Sequence, residues 1–459
     1  MNIIFFISGL PWLLLVTVIV LKSTYFNIIT LFIITWFGES FVGYGLVPDG
    51  MPDILMIYVI FLMCTKILIK EHQTINYYNT LPGMYIFLFF LAISIVSAII
   101  NQTHIISYLL FNRSFLFPFL FFMALFYTSL TANDIQKINK FIIYLFLLQV
   151  IVSTFKWVIT PMTVGEFSQE SIATGTFESS GGTFATLIPL ITFGYIITSY
   201  FFTKKKKYLF ALLAFIWFGI LGAKRALVFI IPVFIVIILY YIKSKMKLSL
   251  DKTIPVLIIV LLLIISIVFI NHTLNPEQKI GGSIDIKYIY NYARDYTTVG
   301  SIIDNQYFTQ GRVSSTVKMI NNLFSAQTKH ILFGYGPGTA IDSQFTQSTH
   351  REFFLMQGIE DGITGAIWMM AQVGLLGVVS FFMFLIVILR HLTKILSEST
   401  NQYQITLLIT TIITLFVFLF DFLIYSEIFI RTENLLILFY YLLGISLKRN
   451  SIKSYNIAK

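Results

Sequence analysis

The stretch "ALVFIIPVFIVIILYYIKSKMKLSLDKTIPVLIIVLLLIISIVFI", residues 226–270, contains two long apolar runs separated by a segment, 243–252, with four lysines. Each run is close to the ~20 residues needed to cross the ~30 Å hydrocarbon layer of a bilayer. The lysine-rich segment between them must stay in water or among lipid headgroups. Both runs far exceed the roughly ten residues of a barrel strand, and in lipid the backbone must satisfy its own hydrogen bonds, so helices are expected.

Working outward, similar windows fall near 3–21, 25–46, 52–70, 82–100, 113–131, 138–160, 181–202, 207–222, 225–242, 253–271, 363–389, 404–425 and 428–447. With 57% hydrophobic and 11% charged residues, a soluble fold is excluded. The expected class is an all-α polytopic membrane protein of about 12–13 transmembrane helices with one large extracytoplasmic loop. Its parts are an N-terminal helix bundle over 1–271, a loop over 272–362, C-terminal helices over 363–447 and a cytoplasmic tail over 448–459. The start, "MNIIFFISGLPWLLLVTVIVLKS", has no basic residue before its apolar run, so it reads as a retained helix rather than a cleaved signal. A single cysteine, Cys64, excludes intramolecular disulfides, and no spacing of acids and histidines suggests a metal cluster.

The net charge of +10 would suggest nucleic acid in a soluble protein, but its placement follows the membrane. With the tail lysines inside, alternation puts Lys204 to Lys207, the 243–252 lysines, Lys66 and Lys70 on the same side, the positive-inside pattern. The opposite connections, "VPDGMPD" (47–53) and 161–182, carry acids and no basic residue. The long segment 272–362 then lies outside.

Charge inside a helix costs about 2.5–3.5 kcal/mol at its centre on insertion scales, so it needs a cavity or a partner. Arg113, Lys156, Lys224, Arg225 and Arg431 all fall at or near the outer ends of their helices, and Arg312 and Arg351 belong to the outer loop. Together they are expected to form a cationic pocket for a phosphate or pyrophosphate, which arginine holds bidentately. The competing reading is that some of them pair with Glu39, Asp421, Glu427 or Glu433, or snorkel to the interface.

Within the loop, Val313, Val317, Ile320 and Phe324 recur at helical spacing, so 311–326 reads as an amphipathic helix lying against the membrane domain. Arg312 in its first turn opposes the helix dipole, an arrangement that an anion would relieve. The turn "GYGPGTA" (334–340) has glycines at 334, 336 and 338, which permit a tight backbone and close approach of another group. A Walker-type phosphate loop would need Lys and Ser/Thr after the last glycine, and Thr339-Ala340 stands there instead. The loop tyrosines, Tyr288, Tyr290, Tyr292, Tyr296 and Tyr307, are candidates for stacking on sugar rings or for plain packing.

These pieces occur in an order that resembles the O-antigen polymerase and ligase superfamily. "GAKRALVFIIP" (222–232), "GRVSSTVKMINNLFSAQTKHILFGYGPGTA" (311–340) and "AQVGLLGVVSFFMFL" (371–385) carry the likeness, with "GTFESSGGTFATLIPL" (175–190) before them. The resemblance implies a membrane glycosyltransferase of GT-C-like architecture, working at the outer face of a bacterial cytoplasmic (inner) membrane without cofactor or metal. Its substrate would be a polyprenyl-pyrophosphate-linked oligosaccharide, and its partners membrane lipid, chain-length regulator and flippase proteins, with no nucleic acid. The products in view are O-antigen (lipopolysaccharide), capsule or another surface polysaccharide.

The likeness maps the pyrophosphate arginines onto Arg225 and Arg312, with Arg113, Lys224 and Arg351 as further candidates. The histidine that ligases carry eleven positions before the first glycine of the later helix is Ile363 here, which favours a repeat-unit polymerase of the Wzy type over a ligase. The general base is then Asp361, Glu360 or His350, although His350 also reads as a solvated loop histidine. A flippase or other transporter is the alternative class, and it would be expected to have short connections throughout and charges deep in its helices.

Overall fold

The structure, a computed structural model, describes residues 3–70, 81–128, 130–164, 175–176, 181–222, 226–246, 250–270, 274, 276–277, 281–298, 302–303, 307–308, 311–341 and 349–448. Lys224, Arg225 and the tail beyond 448 lie outside these residues. Every apolar window of the sequence contains a helix. In order they are α1 (Ile3–Lys22), α2 (Thr24–Gly43), α3 (Met51–Lys70), α4 (Met84–Ile100), α5 (Ile105–Tyr127), α6 (Ala132–Val164), α7 (Gly181–Thr203), α8 (Lys207–Leu221), α9 (Ala226–Lys243) and α10 (Leu250–Ile270). The loop adds α11 (Ile286–Thr298), α12 (Arg312–Ser325), α13 (Thr328–Phe333) and α14 (His350–Met356). α15 (Gly365–Glu398), α16 (Gln402–Phe420), a π turn (Asp421–Tyr425), α17 (Ile428–Arg431) and α18 (Glu433–Ser446) complete the chain. The described strands are one short antiparallel pair, with Ile302 opposite Phe308.

Among the described residues seven helices are long and apolar enough to cross a membrane. Five shorter apolar helices accompany them, including Lys207–Leu221 and Glu433–Ser446. The protein is therefore a polytopic helical membrane protein. Its outward surface agrees: Val236, Leu257, Leu261, Leu262 and Ile265 are exposed, a display that water would penalise and acyl chains would not.

α7 is the axis of the bundle, with 94% of its membrane window buried. It packs on α8, α9 and α16. Gly194 permits the approach to α16, since a Cβ there would lie 3.1 Å from Ile413 and 3.2 Å from the Thr410 backbone. The buried hydroxyls of α16 are satisfied within the helix: Thr410, Thr411 and Thr414 donate to the carbonyls four residues earlier at 2.7, 2.8 and 2.9 Å. α15 packs on α4 and α18 on α5, so the C-terminal helices close around the N-terminal ones through a stack of aromatic rings. Phe87 of α4 packs on Phe384 of α15 with ring centres 5.3 Å apart, and Phe122 of α5 on Tyr440 of α18 at 5.7 Å.

Connections that the charge pattern assigns to one face gather at one end of the bundle. At the inner end by that assignment, Lys245 Nζ donates to the Ser397 carbonyl at 2.8 Å and Asn139 to the Tyr403 hydroxyl at 2.7 Å. At the opposite end, Ser40 Oγ donates to the Thr176 carbonyl, and Trp12 Nε1 to the Leu46 carbonyl at 3.1 Å. We refer to this as the outer end.

α12 forms where its spacing predicts and lies against the membrane domain, but not through the expected apolar stripe. Ser315, Met319 and Leu323 are buried and Ile320 is half-buried against the core, whereas Val313, Val317 and Phe324 are 48%, 51% and 62% exposed. Polar anchors decide the rotation. Ser315 Oγ donates to the Asp361 carbonyl at 2.6 Å and Asn322 Nδ2 to the Gln357 carbonyl at 2.7 Å, drawing that face onto the chain's return to the membrane. Val317→Ser is accordingly expected to change stability by less than about 0.5 kcal/mol, as thermal unfolding in detergent would show.

Candidate functional site

The glycine turn clasps a broken helix. Gly374 interrupts α15 with φ 67° and ψ −171°, which exposes carbonyls just before the break. The turn uses them: Tyr335 N donates to the Ala371 carbonyl at 2.8 Å and Gly336 N to the Gln372 carbonyl at 3.1 Å. Gly338 N donates to Gln372 Oε1 at 2.7 Å. Ser97 and Asn101 at the end of α4 complete the clasp, Asn101 Nδ2 donating to the Gly334 carbonyl at 3.2 Å. Trp368 Nε1 holds the Ala340 carbonyl at 2.9 Å. The close approach is thus to the membrane helices. The polar Gln372 within "AQVGLLG" is the sequence's one hint of this role.

Below the loop, at the outer end, lies a cavity of about 470 Å³ between α2, α3, α5 and residues 427–434. Gly38 brings α2 onto Pro52 at the start of α3, since a Cβ would lie 2.8 Å from Pro52 Cβ. Asp53 and Glu433 each sit in the first turn of their helices, where the dipole favours a carboxylate. Arg113 bridges them, its Nη1 donating to Asp53 and its Nε lying 2.7 Å from Glu433 Oε1. Arg431 pairs with Glu427 one helical turn earlier, at 2.5 Å.

The cavity is not the cationic pocket expected from the sequence. Its charged lining is four carboxylates, Glu39, Asp53, Glu427 and Glu433, against two guanidiniums, Arg113 and Arg431. Arg113 in particular is held by two acids. Alternating topology fixes the depth of an arginine in the membrane but not which acid stands beside it.

Two loop residues meet the break at 421–427, one of them at this wall. His350 Nε2 lies 2.9 Å from Glu427 Oε1 and 3.0 Å from Oε2, with 12% of each side chain exposed. α14 is started by a capping box in which Thr349 accepts from Glu352 N at 3.2 Å, so His350 sits in a defined first turn. Arg312 Nε donates to the Tyr425 carbonyl at 2.5 Å, and its guanidinium stands 5.4 Å from the centre of the Tyr425 ring. The partner that offsets the dipole penalty in the first turn of α12 is therefore a helix-end carbonyl, the negative pole of another helix. Tyr425 is itself fixed by Thr186 of α7 at 3.1 Å and by stacking on Phe420.

The break that displays these groups is organised by Asp421, fully buried at the end of α16. Its carboxylate accepts from Ser426 Oγ at 2.5 Å and from Phe429 N at 2.8 Å, which ends the π turn and starts α17. Asp421 is thus a structural partner of the backbone, one of the two outcomes open for a costly intramembrane charge.

Of the base candidates, only His350 touches the cavity wall. Asp361 is exposed, its carboxylate accepting from Gly362 N at 2.7 Å, while Glu360 and Arg351 are exposed and do not line the cavity. Tyr288 and Tyr292 stack on each other at 6.5 Å. Tyr425 and Asp53 are the site residues that the sequence did not assign a role, whereas Glu427 is one of the acid partners it offered for the arginines. Neither the protein-family models nor the curated proteins give a match to this chain.

Proposed function

We propose that the protein is a membrane glycosyltransferase that polymerises oligosaccharide repeats carried on polyprenyl pyrophosphate, at the outer face of a bacterial cytoplasmic membrane. The observation that carries this reading is the convergence of Arg312 and His350 on the break at 421–427, beside a cavity of about 470 Å³. The order of motifs in the sequence supports it.

The acid-rich cavity suits sugar, because carboxylates accept hydroxyl donors and repel a pyrophosphate. The pyrophosphate is then placed on the Arg312 side of the break, where the guanidinium and the N-terminus of α12 concentrate positive charge. Glu427 holds His350 in one orientation, and in that role the imidazole takes the proton of the acceptor hydroxyl. The acceptor oxygen bonds to the anomeric carbon, the bond from that carbon to the pyrophosphate oxygen breaks, and the electron pair leaves on the pyrophosphate. Arg312 stabilises the departing charge.

In proteoliposomes given a lipid-linked oligosaccharide, the chain should lengthen the glycan on its carrier without added nucleotide. No lengthening by the folded protein would overturn the reading. His350→Asn is expected to lower the rate by about 10²-fold with substrate binding kept, measured in the same assay. A flippase is the second reading, favoured by acid–arginine pairs at a membrane cavity beside the interrupted segment 421–433. It predicts that the labelled lipid changes leaflet with its glycan length unchanged.

A further inference from the structure

At the opposite end of the bundle a groove of about 500 Å³ runs between the start of α8 and α10. Its walls are Leu209, Phe210, Leu213, Pro255 and Ile259, with Tyr200 at its base, and Lys204 and Lys206 stand at its rim. Phe210 and Leu213 are 70% and 44% exposed, so an apolar trough faces the surrounding membrane. Asp251 also lines the groove and is the one acid among the lining residues.

The rim is built against its own electrostatics. Lys204 to Lys207 are four consecutive exposed lysines, and they precede or open α8, whose first turn holds no acid. Cations at a helix N-terminus oppose its dipole and repel one another. Lys206 is the residue that caps α8, and it makes no side-chain cap because an ammonium has no acceptor. Among the described residues neither Lys204 nor Lys206 forms an ion pair, and Asp251 alone does not balance the row. An apolar trough leading to a row of lysines is complementary to one class of molecule, with an acyl chain at one end and a phosphate at the other.

We propose that this groove is a binding site for an anionic phospholipid of the inner leaflet, its acyl chain along Leu209, Leu213 and Ile259 and its phosphate at Lys204 and Lys206. The site is independent of the glycosyltransferase reading. It uses the attraction between basic residues and anionic lipid that operates at the cytoplasmic surface of membranes.

The test is native mass spectrometry of the detergent-solubilised full chain, titrated with phosphatidylglycerol and with phosphatidylcholine of the same chains. Wild type should bind phosphatidylglycerol about tenfold or more tightly than phosphatidylcholine. K204Q/K206Q should erase that difference, while K137Q/K140Q, which removes the same charge from α6, should keep it. Leu213→Trp, which fills the trough without changing charge, should weaken both lipids, and glycerol phosphate should not compete. No preference in wild type, equal loss in the α6 control, retention in K204Q/K206Q, full binding by Leu213→Trp, or displacement by glycerol phosphate would each overturn the proposal.

Discussion

Arg312→Gln is expected to leave a folded protein that makes almost no polymer, with the rate of glycan lengthening down about 10³-fold. The choice of glutamine matters because Arg312 has two separable duties. Its Nε–H caps the Tyr425 carbonyl at 2.5 Å, a bond to a charged donor worth about 1.5–3 kcal/mol. Its charge is what the departing pyrophosphate would use. Glutamine can still offer an N–H to that carbonyl but brings no charge, whereas alanine removes both. Arg312→Ala should therefore lower both stability and rate, and Arg312→Gln chiefly the rate. Lysine is not a conservative replacement, since it lacks the planar group that stacks on the Tyr425 ring while donating to its carbonyl. The surface glycan read by gel electrophoresis should show single repeats retained and long chains lost. Wild-type chain length in a folded Arg312→Gln protein would remove Arg312 from the mechanism and leave it a helix cap.

Gly338→Ala is expected to be the most destabilising of the small substitutions, by about 2–4 kcal/mol, with Gly374→Ala close to it. Two penalties add at each position. Gly338 has φ 91° and Gly374 has φ 67°, a region that alanine resists. A Cβ on Gly338 would also run into the Ser107 backbone of α5, and one on Gly374 into the Leu332 backbone at the end of α13. Neither neighbour is a flexible side chain that swings aside. Gly45 and Gly50 supply the control, with φ 67° and 77° and nothing within 4 Å of a Cβ. Alanine there should cost no more than about 1 kcal/mol. Thermal unfolding in detergent separates the cases, and equal shifts in all four variants would mean that the clasp contributes nothing.

Much of the fold could be read from the chain because lipid imposes a strong rule. A run such as "LIIVLLLIISIVFI" (257–270) has one stable form in hydrocarbon, and all thirteen windows are helical. The place of α12 was also legible, from helical spacing over 311–326. The register of α12 was not. Of its apolar stripe, Ile320 packs on the core while Val313, Val317 and Phe324 face outward, because Ser315 and Asn322 found carbonyl partners on the returning chain.

The site divides along the same line. The sequence by itself determined that Arg113, Arg431, Glu427 and Glu433 lie near the ends of membrane helices, since burying charge deeper in lipid costs several kcal/mol. Only the tertiary structure decided that Arg113 is shared by Asp53 and Glu433, that Glu427 holds both His350 and Arg431, and that Arg312 rests on Tyr425. Hydropathy sets how deep a residue sits along a helix axis. Which side chains meet across the bundle depends on helix rotation and on breaks such as those at Gly374 and Asp421, and these follow from packing among elements far apart in the chain.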